Sequence, residues 1–117
     1  MIEHEGRVTR AWVLHPELKT VSGRRDPVAA LAEATSLARA LPELDVVGAT
    51  IIGLKKLLPA TLFGSGKLAE LKEVFEGNNV ELVLLDGHVT PVQQRNLEKQ
   101  WGVKLLDRTA LILEIFS

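Results

Sequence analysis

The chain has 117 residues, 14 Lys and Arg against 15 Asp and Glu, a net charge of −1 and no cysteine. This length fits one domain. The balanced charge excludes a nucleic-acid binder that works through bulk positive charge, and the lack of cysteine excludes disulfides, thiolate metal sites and cysteine nucleophiles. Hydrophobic residues at 46% and charged residues at 25% describe a globular protein rather than a disordered one. No apolar run approaches the ~18 residues of a membrane span, and MIEHEGRVTR has no signal-peptide core. A soluble, cytoplasmic domain is expected.

Residues 7–14 (RVTRAWVL) end in an apolar run and read as a first strand. Residues 15–26 (HPELKTVSGRRD) mix Pro, Gly and charge and read as a loop. Asp26 then offers an N-cap, Pro27 suits the first helical position, and Leu31, Ala34, Ala38 and Leu41 follow at helical spacing until Pro42. Residues 45–54 (DVVGATIIGL) are β-branched and apolar, a buried strand in two pieces around Gly48. Residues 55–64 form a connection. Ser65 or Gly66 caps a second helix whose stripe is Leu68, Leu71, Val74 and Phe75, and Gly77-Asn78 ends it. Residues 80–85 (VELVLL) form a strand ending at Asp86. Thr90-Pro91-Val92-Gln93 is a capping box that opens a third helix, which runs to Gln100 or Trp101 and stops at Gly102. Residues 103–106 form a short strand ending at Asp107. The last stretch, Leu111 to Phe116, is apolar nearly all round and needs cover: a groove of the core, a second chain, or a following segment of a longer protein.

Strands alternating with helices at this spacing predict an α/β fold with a mostly parallel four-stranded sheet, helices on both faces and a terminal apolar helical segment. In such sheets ligands meet the carboxyl ends of the strands, which is where Asp86 and Asp107 fall.

Gly64-Ser65-Gly66-Lys67 looks like part of a phosphate-binding loop. A full G-x-x-x-x-G-K-[ST] loop is rejected, because Thr61 stands at the first glycine and Leu68 at the magnesium-binding hydroxyl. What remains is a glycine-flanked helix N-terminus with a lysine. It can attract an anion or an RNA phosphate, or it can be plain capping. Gln93-Gln94-Arg95-Asn96 places four hydrogen-bonding side chains in the first turns of a helix, where Arg95 can clamp a phosphate and the amides can read polar edges. The same residues equally suit a helix start tied to neighbouring loops. Asp107-Arg108-Thr109 reads as a helix cap with a local ion pair. Asp45-Val46-Val47-Gly48 matches a D-x-x-G nucleotide switch only by chance, inside an apolar strand and without N-K-x-D. Asp86 lacks the acidic pair a receiver domain needs for magnesium. His4, His15 and His88 have no metal-ligand spacing. Trp12 and Trp101 read as core.

Three blocks stand together in order: Thr61-Leu62-Phe63-Gly64-Ser65-Gly66-Lys67; Asp86 with Thr90-Pro91-Val92-Gln93-Gln94-Arg95-Asn96-Leu97-Glu98; and Gly102 through Phe116. Together they make residues 7–117 resemble the N-terminal domain of HflX-type GTPases. That resemblance implies a cytoplasmic, stress-linked protein that associates with the large ribosomal subunit and splits ribosomes. Its N-terminal domain would be a parallel α/β sheet, followed by a helical hairpin and a G domain that takes GTP and magnesium. The resemblance also implies ribosome binding and an adenine-nucleotide interaction for the N-terminal domain, so ATP is a candidate ligand. Asp86-Gly87-His88-Val89-Thr90-Pro91 departs from the D-D-E-L-S-P of many members and weakens a metal-binding reading of that loop.

The expected function is therefore a binding module with no GTPase site of its own. Its crevice would be built from Gly64, Ser65, Gly66, Lys67, Arg95 and Arg108 toward phosphate, and from Asp86, Gln93, Gln94, Asn96 and Asp107 as polar lining. The alternatives are a small ATP-handling enzyme using the same crevice, or a structural regulator of the adjoining G domain.

Overall fold

Each apolar run becomes a strand and each capped amphipathic stretch a helix. In a computed structural model that describes residues 7–19 and 26–116, the elements are β1 (Thr9–Leu18), α1 (Pro27–Arg39), β2 (Leu44–Leu54), α2 (Ser65–Gly77), β3 (Leu82–Leu85), α3 (Pro91–Trp101), β4 (Lys104–Asp107) and α4 (Arg108–Ile115). The four strands are parallel in the order β2-β1-β3-β4. The chain thus steps outward from β1 to β2, returns to β3 on the other side of β1, and continues to β4. With right-handed crossovers, reversing the step direction moves the connecting helix to the opposite face. Two separate cores follow. One packs Leu14, Ile52, Val83, Leu85 and Leu105 against Leu68, Leu71, Phe75, Leu97 and Trp101 of α2 and α3. The other packs Ala11, Val13, Leu82, Leu84 and Leu106 against Ala34 and Ala38 of α1 and Leu111 of α4. The result is the expected α/β fold, with a parallel four-stranded sheet between two helical layers.

Two expectations for the strands are corrected. β1 continues through His15, Pro16, Glu17 and Leu18, where the sequence predicts a loop. Proline is tolerated there because of the pairing. The Leu14 carbonyl accepts from the Asp86 amide on the β3 side. Residue 16 points its backbone the same way as residue 14, and β3 has already ended at Leu85. The missing N–H of Pro16 therefore leaves no acceptor unpaired. The remainder of the expected loop, residues 20–25, lies outside the described residues. β2 is one strand, not two pieces: the register shifts between Ala11/Trp12, so that Trp12 pairs Gly48 and Val47 is the extra residue of a bulge. Gly48 is required there, since a Cβ would lie 2.2 Å from the Trp12 ring. The Trp12 indole N–H donates to Thr50 Oγ1 at 3.0 Å.

The helix ends follow their caps. Asp26 accepts from the Val28 amide, with Pro27 opening α1. Thr90 and Gln93 form the reciprocal capping box of α3, and Gly102 closes it at φ 66°. The cap of α2 is Gly64, one residue before the expected Ser65. Trp101 is core, its indole donating to the Leu68 carbonyl at 3.1 Å, while Trp12 is only partly buried against the same cluster. The terminal segment is helical but not enclosed: Leu111 is buried, whereas Leu113 is 67% and Phe116 83% exposed.

Candidate functional site

In a parallel sheet every strand delivers its carboxyl end to one edge, and there the following helices begin. Because the step direction reverses between β1 and β3, that pair marks the topological switch point. The expected crevice residues, from Gly64 to Arg108, fall along this edge, in two groups on the two helical layers, while His4 lies outside the described residues.

On the α2/α3 layer, Gly64, Ser65, Gly66 and Lys67 form the start of α2. The Gly64 cap makes no side-chain hydrogen bond, and a Cβ at Gly64 or Gly66 would meet nothing within 4 Å. The first amides of α2 therefore have no side-chain cap, lie in an exposed stretch and carry the positive end of the helix dipole. Lys67 lies beside Glu70 at 3.2 Å in an exposed ion pair. The preceding connection is a tight turn in which Leu58 and Leu62 exchange backbone hydrogen bonds of 3.0 and 2.9 Å. Leu62 sits at φ 68°, a left-handed conformation held by the burial of Leu62 and Phe63. This turn does not fit a nucleoside triphosphate with magnesium. Leu68 is buried in the core where a metal-binding hydroxyl would be needed, and the Thr61 hydroxyl donates to the Phe63 carbonyl at 2.8 Å.

α3 begins beside this turn and ties it down. Gln93 is buried; its Oε1 accepts from the Thr90 amide at 2.9 Å and its Nε2 donates to the Leu58 carbonyl at 3.0 Å. Asn96 Nδ2 donates to the Ala60 carbonyl at 3.0 Å and Gln94 Nε2 to the Leu105 carbonyl at 3.1 Å. Gln93 and Asn96 thus position the turn before α2 and Gln94 ties α3 to β4, and both functional atoms of Gln93 are engaged inside the fold. Arg95 is exposed, with no hydrogen-bond or ion-pair partner among the described residues.

On the α1/α4 layer the structure brings Asp86 and Arg108 together and adds two residues that sequence reasoning misses, His15 and Glu33. Asp86 Oδ1 accepts from the Arg108 guanidinium at 2.7 Å and Oδ2 accepts from His15 Nδ1 at 2.8 Å. A carboxylate can only accept, so the His15 ring carries its proton on Nδ1. Arg108 forks on to Glu33 of α1. Hydrogen bonds to Glu33 and then to Asp86 hold the guanidinium above its ordinary, already high pKa. The Asp86 side chain is 4% exposed, and both its oxygens are committed to protein partners. Asp107 caps α4 by accepting from the Ala110 amide at 3.0 Å. His15 is hidden in sequence because the apolar run of β1 stops at Leu14. Glu33 is hidden because nothing in a helical stripe marks which exposed acid will face an arginine 75 residues later.

Concavities are found at both edges of the sheet among the described residues. One, of about 410 Å³, opens at the opposite edge between the C-terminal ends of α2 and α3, beside Lys72, Glu76, Lys99 and Gln100. A small void lies beneath the Asp86–Arg108 pair, against Val13, Ala34, Leu84 and Leu111. Among the described residues no three His, Asp or Glu side chains converge as metal ligands, and no helix is long and apolar enough to cross a membrane.

Comparison with known proteins places this arrangement. Residues 28–117 match the family described as GTP-binding GTPase N-terminal. The GTPase HflX of Magnetococcus marinus is 45% identical over 74 residues, covering 63% of this chain and 17% of that protein. The GTPase HflX of Chlamydia pneumoniae is 48% identical over 65 residues, or 55% of this chain and 14% of that protein. A putative GTP-binding protein 6 of Mus musculus is 31% identical over 112 residues, or 92% of this chain and 22% of the relative. The chain thus spans about a fifth or less of these relatives. In fold it is similar to a GTP-binding protein of Sulfolobus solfataricus solved in complex with GDP, with a TM-score of 0.62 and 17% identity over 92% of this chain and 30% of that one. With its family matched over most of its length, the chain belongs to the GTP-binding GTPase N-terminal family and is an HflX-type N-terminal domain.

Proposed function

We propose that this domain is a phosphate-contacting module of an HflX-like GTP-binding protein, and that the phosphate belongs to the RNA of the large ribosomal subunit. The observation that carries this reading is the open start of α2. Its amides have no side-chain cap, the flanking glycines keep the approach clear, Lys67 lies in the first turn, and the exposed Arg95 stands on the same layer and at the same edge of the sheet. Such a constellation attracts a phosphate without reading sequence. Asp86, Asp107 and Arg108 lie on the other layer and serve this reading by holding the edge in shape. Gln93 and Asn96 hold the turn from which α2 starts, and Gln94 ties α3 to β4.

The GTP named by the relatives, and the magnesium expected with it, belong, in this reading, to a G domain elsewhere in the longer protein. Leu68 and Thr61 leave no place for them at α2, and the occupied oxygens of Asp86 leave none there, for ATP as for GTP. The protein would work in the cytoplasm, with ribosomes. A second reading rests on Leu113 and Phe116, whose exposed side chains suit packing of α4 on the remainder of the longer protein, where the domain would act as a regulator of the adjoining G domain.

Binding of the chain to large ribosomal subunits across a salt series tests the first reading. Each phosphate that the protein no longer neutralises lowers the affinity and reduces the slope of log K against log salt by about one. Lys67→Ala and Arg95→Ala are each expected to do both. Unchanged affinity and slope in both variants would reject the phosphate role.

A further inference from the structure

α4 is held to the domain by polar contacts gathered at its start and by a short apolar seam in which Ala110 and Ile115 flank Leu111. Of its eight residues only Leu111 is fully buried. The helix follows β4 without an intervening residue, so Arg108 is at once the end of the sheet connection and the first turn of α4. Three polar ties gather there: the Asp107 cap on Ala110, the Arg108 amide to the Gly87 carbonyl at 3.3 Å, and the guanidinium fork to Asp86 and Glu33. Beneath them lies a small void against Val13, Ala34, Leu84 and Leu111. The cluster also stands at the switch point, where His15 of β1 and Asp86 beyond β3 meet.

We infer that α4 is a separately opening element, latched over the β1/β3 crevice by the fork of Arg108 onto Asp86 and Glu33. The free energy of a local opening is set by the interactions it breaks. Lifting α4 unpacks Leu111 with the partly buried Ala110 and Ile115 and breaks the polar ties, and it leaves the β1–β3 pairing and the whole α2/α3 core intact. Charge-assisted bonds to a nearly buried carboxylate are the strong part of that sum. The open form uncovers Asp86 and the His15–Asp86 pair at the place where parallel α/β sheets take ligands. The latch does not rest on the phosphate reading, which concerns the other layer.

The absence of cysteine makes the test clean. In the full chain, Leu111→Cys puts a single thiol under α4, and Leu68→Cys puts one in the α2/α3 core, where it reports global unfolding. Labelling with a thiol reagent is measured with and without Arg108→Gln. The latch requires that Arg108→Gln raise the rate at residue 111 by about tenfold or more relative to the rate at residue 68. Equal acceleration at both positions, or none at 111, overturns it. Should Leu111→Cys not fold, amide hydrogen exchange of the Arg108→Gln chain replaces it. The α4 amides are then expected to exchange faster than in the parent while those of β3 hold their protection, and parallel changes in the two elements again overturn the latch.

Discussion

At the scale of single residues, the positions that decide most are those whose neighbours lie far away in sequence. Gly48 is one. The bulge brings the Trp12 ring to 2.2 Å from where a Cβ would stand, so Gly48→Ala must push the indole out of its contact with Phe75 and Thr50. Overpacking of this kind costs about 1–3 kcal/mol, measurable as a lower urea midpoint, and an unchanged midpoint would mean that Trp12 moves aside freely. Glu81 is another. The Arg7 guanidinium at 2.7 Å, and then the Arg10 amide, hold its carboxyl below the ordinary carboxylate range. A depressed folded-state pKa contributes stability above the unfolded value and loses it as pH falls through the folded one. Glu81→Gln is therefore expected to be slightly less stable than the parent at neutral pH, with the gap closing in acid. The effect is small because the pair is solvent-exposed. Denaturation midpoints at neutral and acid pH check it, and a gap that widens in acid contradicts the assigned sign. His15 and Glu33 show the limit of reading a residue from sequence. Each looks like ordinary loop or surface, and only the fold supplies its partner.

At the scale of elements, the sequence is legible wherever a signal is local. Asp26-Pro27, the Thr90 to Gln93 box and Gly102 place helix ends by backbone chemistry within a few residues, and all three are found where expected. Sequence misleads where tertiary pairing outweighs local preference. Pro16 looks like the end of a strand, but β1 runs on because its β3 neighbour has already stopped. Gly48 looks like a break, but it is the glycine of a bulge. Gln93-Gln94-Arg95-Asn96 shows its polarity in sequence, yet not the division of labour in which Gln93 and Asn96 fasten a turn, Gln94 fastens β4 and Arg95 has no partner among the described residues. That division is testable. Gln93→Leu takes one of the two donors from the Leu58 carbonyl, which keeps the Leu62 amide, and removes the side-chain acceptor of the Thr90 amide, at a cost of about 1 kcal/mol. The same change is expected to speed amide exchange at Leu58 and Leu62. Exchange unchanged at both amides would show that the turn stands without α3.

At the scale of the whole molecule, the reversal of step direction between β1 and β3 sorts the functional candidates. It places α1 and α4 on one layer and α2 and α3 on the other. The carboxyl edge therefore carries two differently built regions instead of one pocket. The α1/α4 side is closed by its own charges, with Asp86 paired to His15 and Arg108. The α2/α3 side presents uncapped amides, a lysine in a solvent-exposed pair and an exposed arginine without a partner among the described residues. Sequence alone locates the edge, because strand ends and helix starts are local features. It cannot separate the layers, since that depends on strand order. Titration of the isotope-labelled chain with a short single-stranded RNA, followed by amide chemical shifts, tests the phosphate assignment most directly. The amides of Ser65, Gly66 and Lys67 and the neighbourhood of Arg95 are expected to move first and together, and to return as salt is raised. Shifts centred instead on Asp86 and Arg108, or at the opposite edge near Lys72 and Lys99, with the start of α2 unmoved, would contradict it.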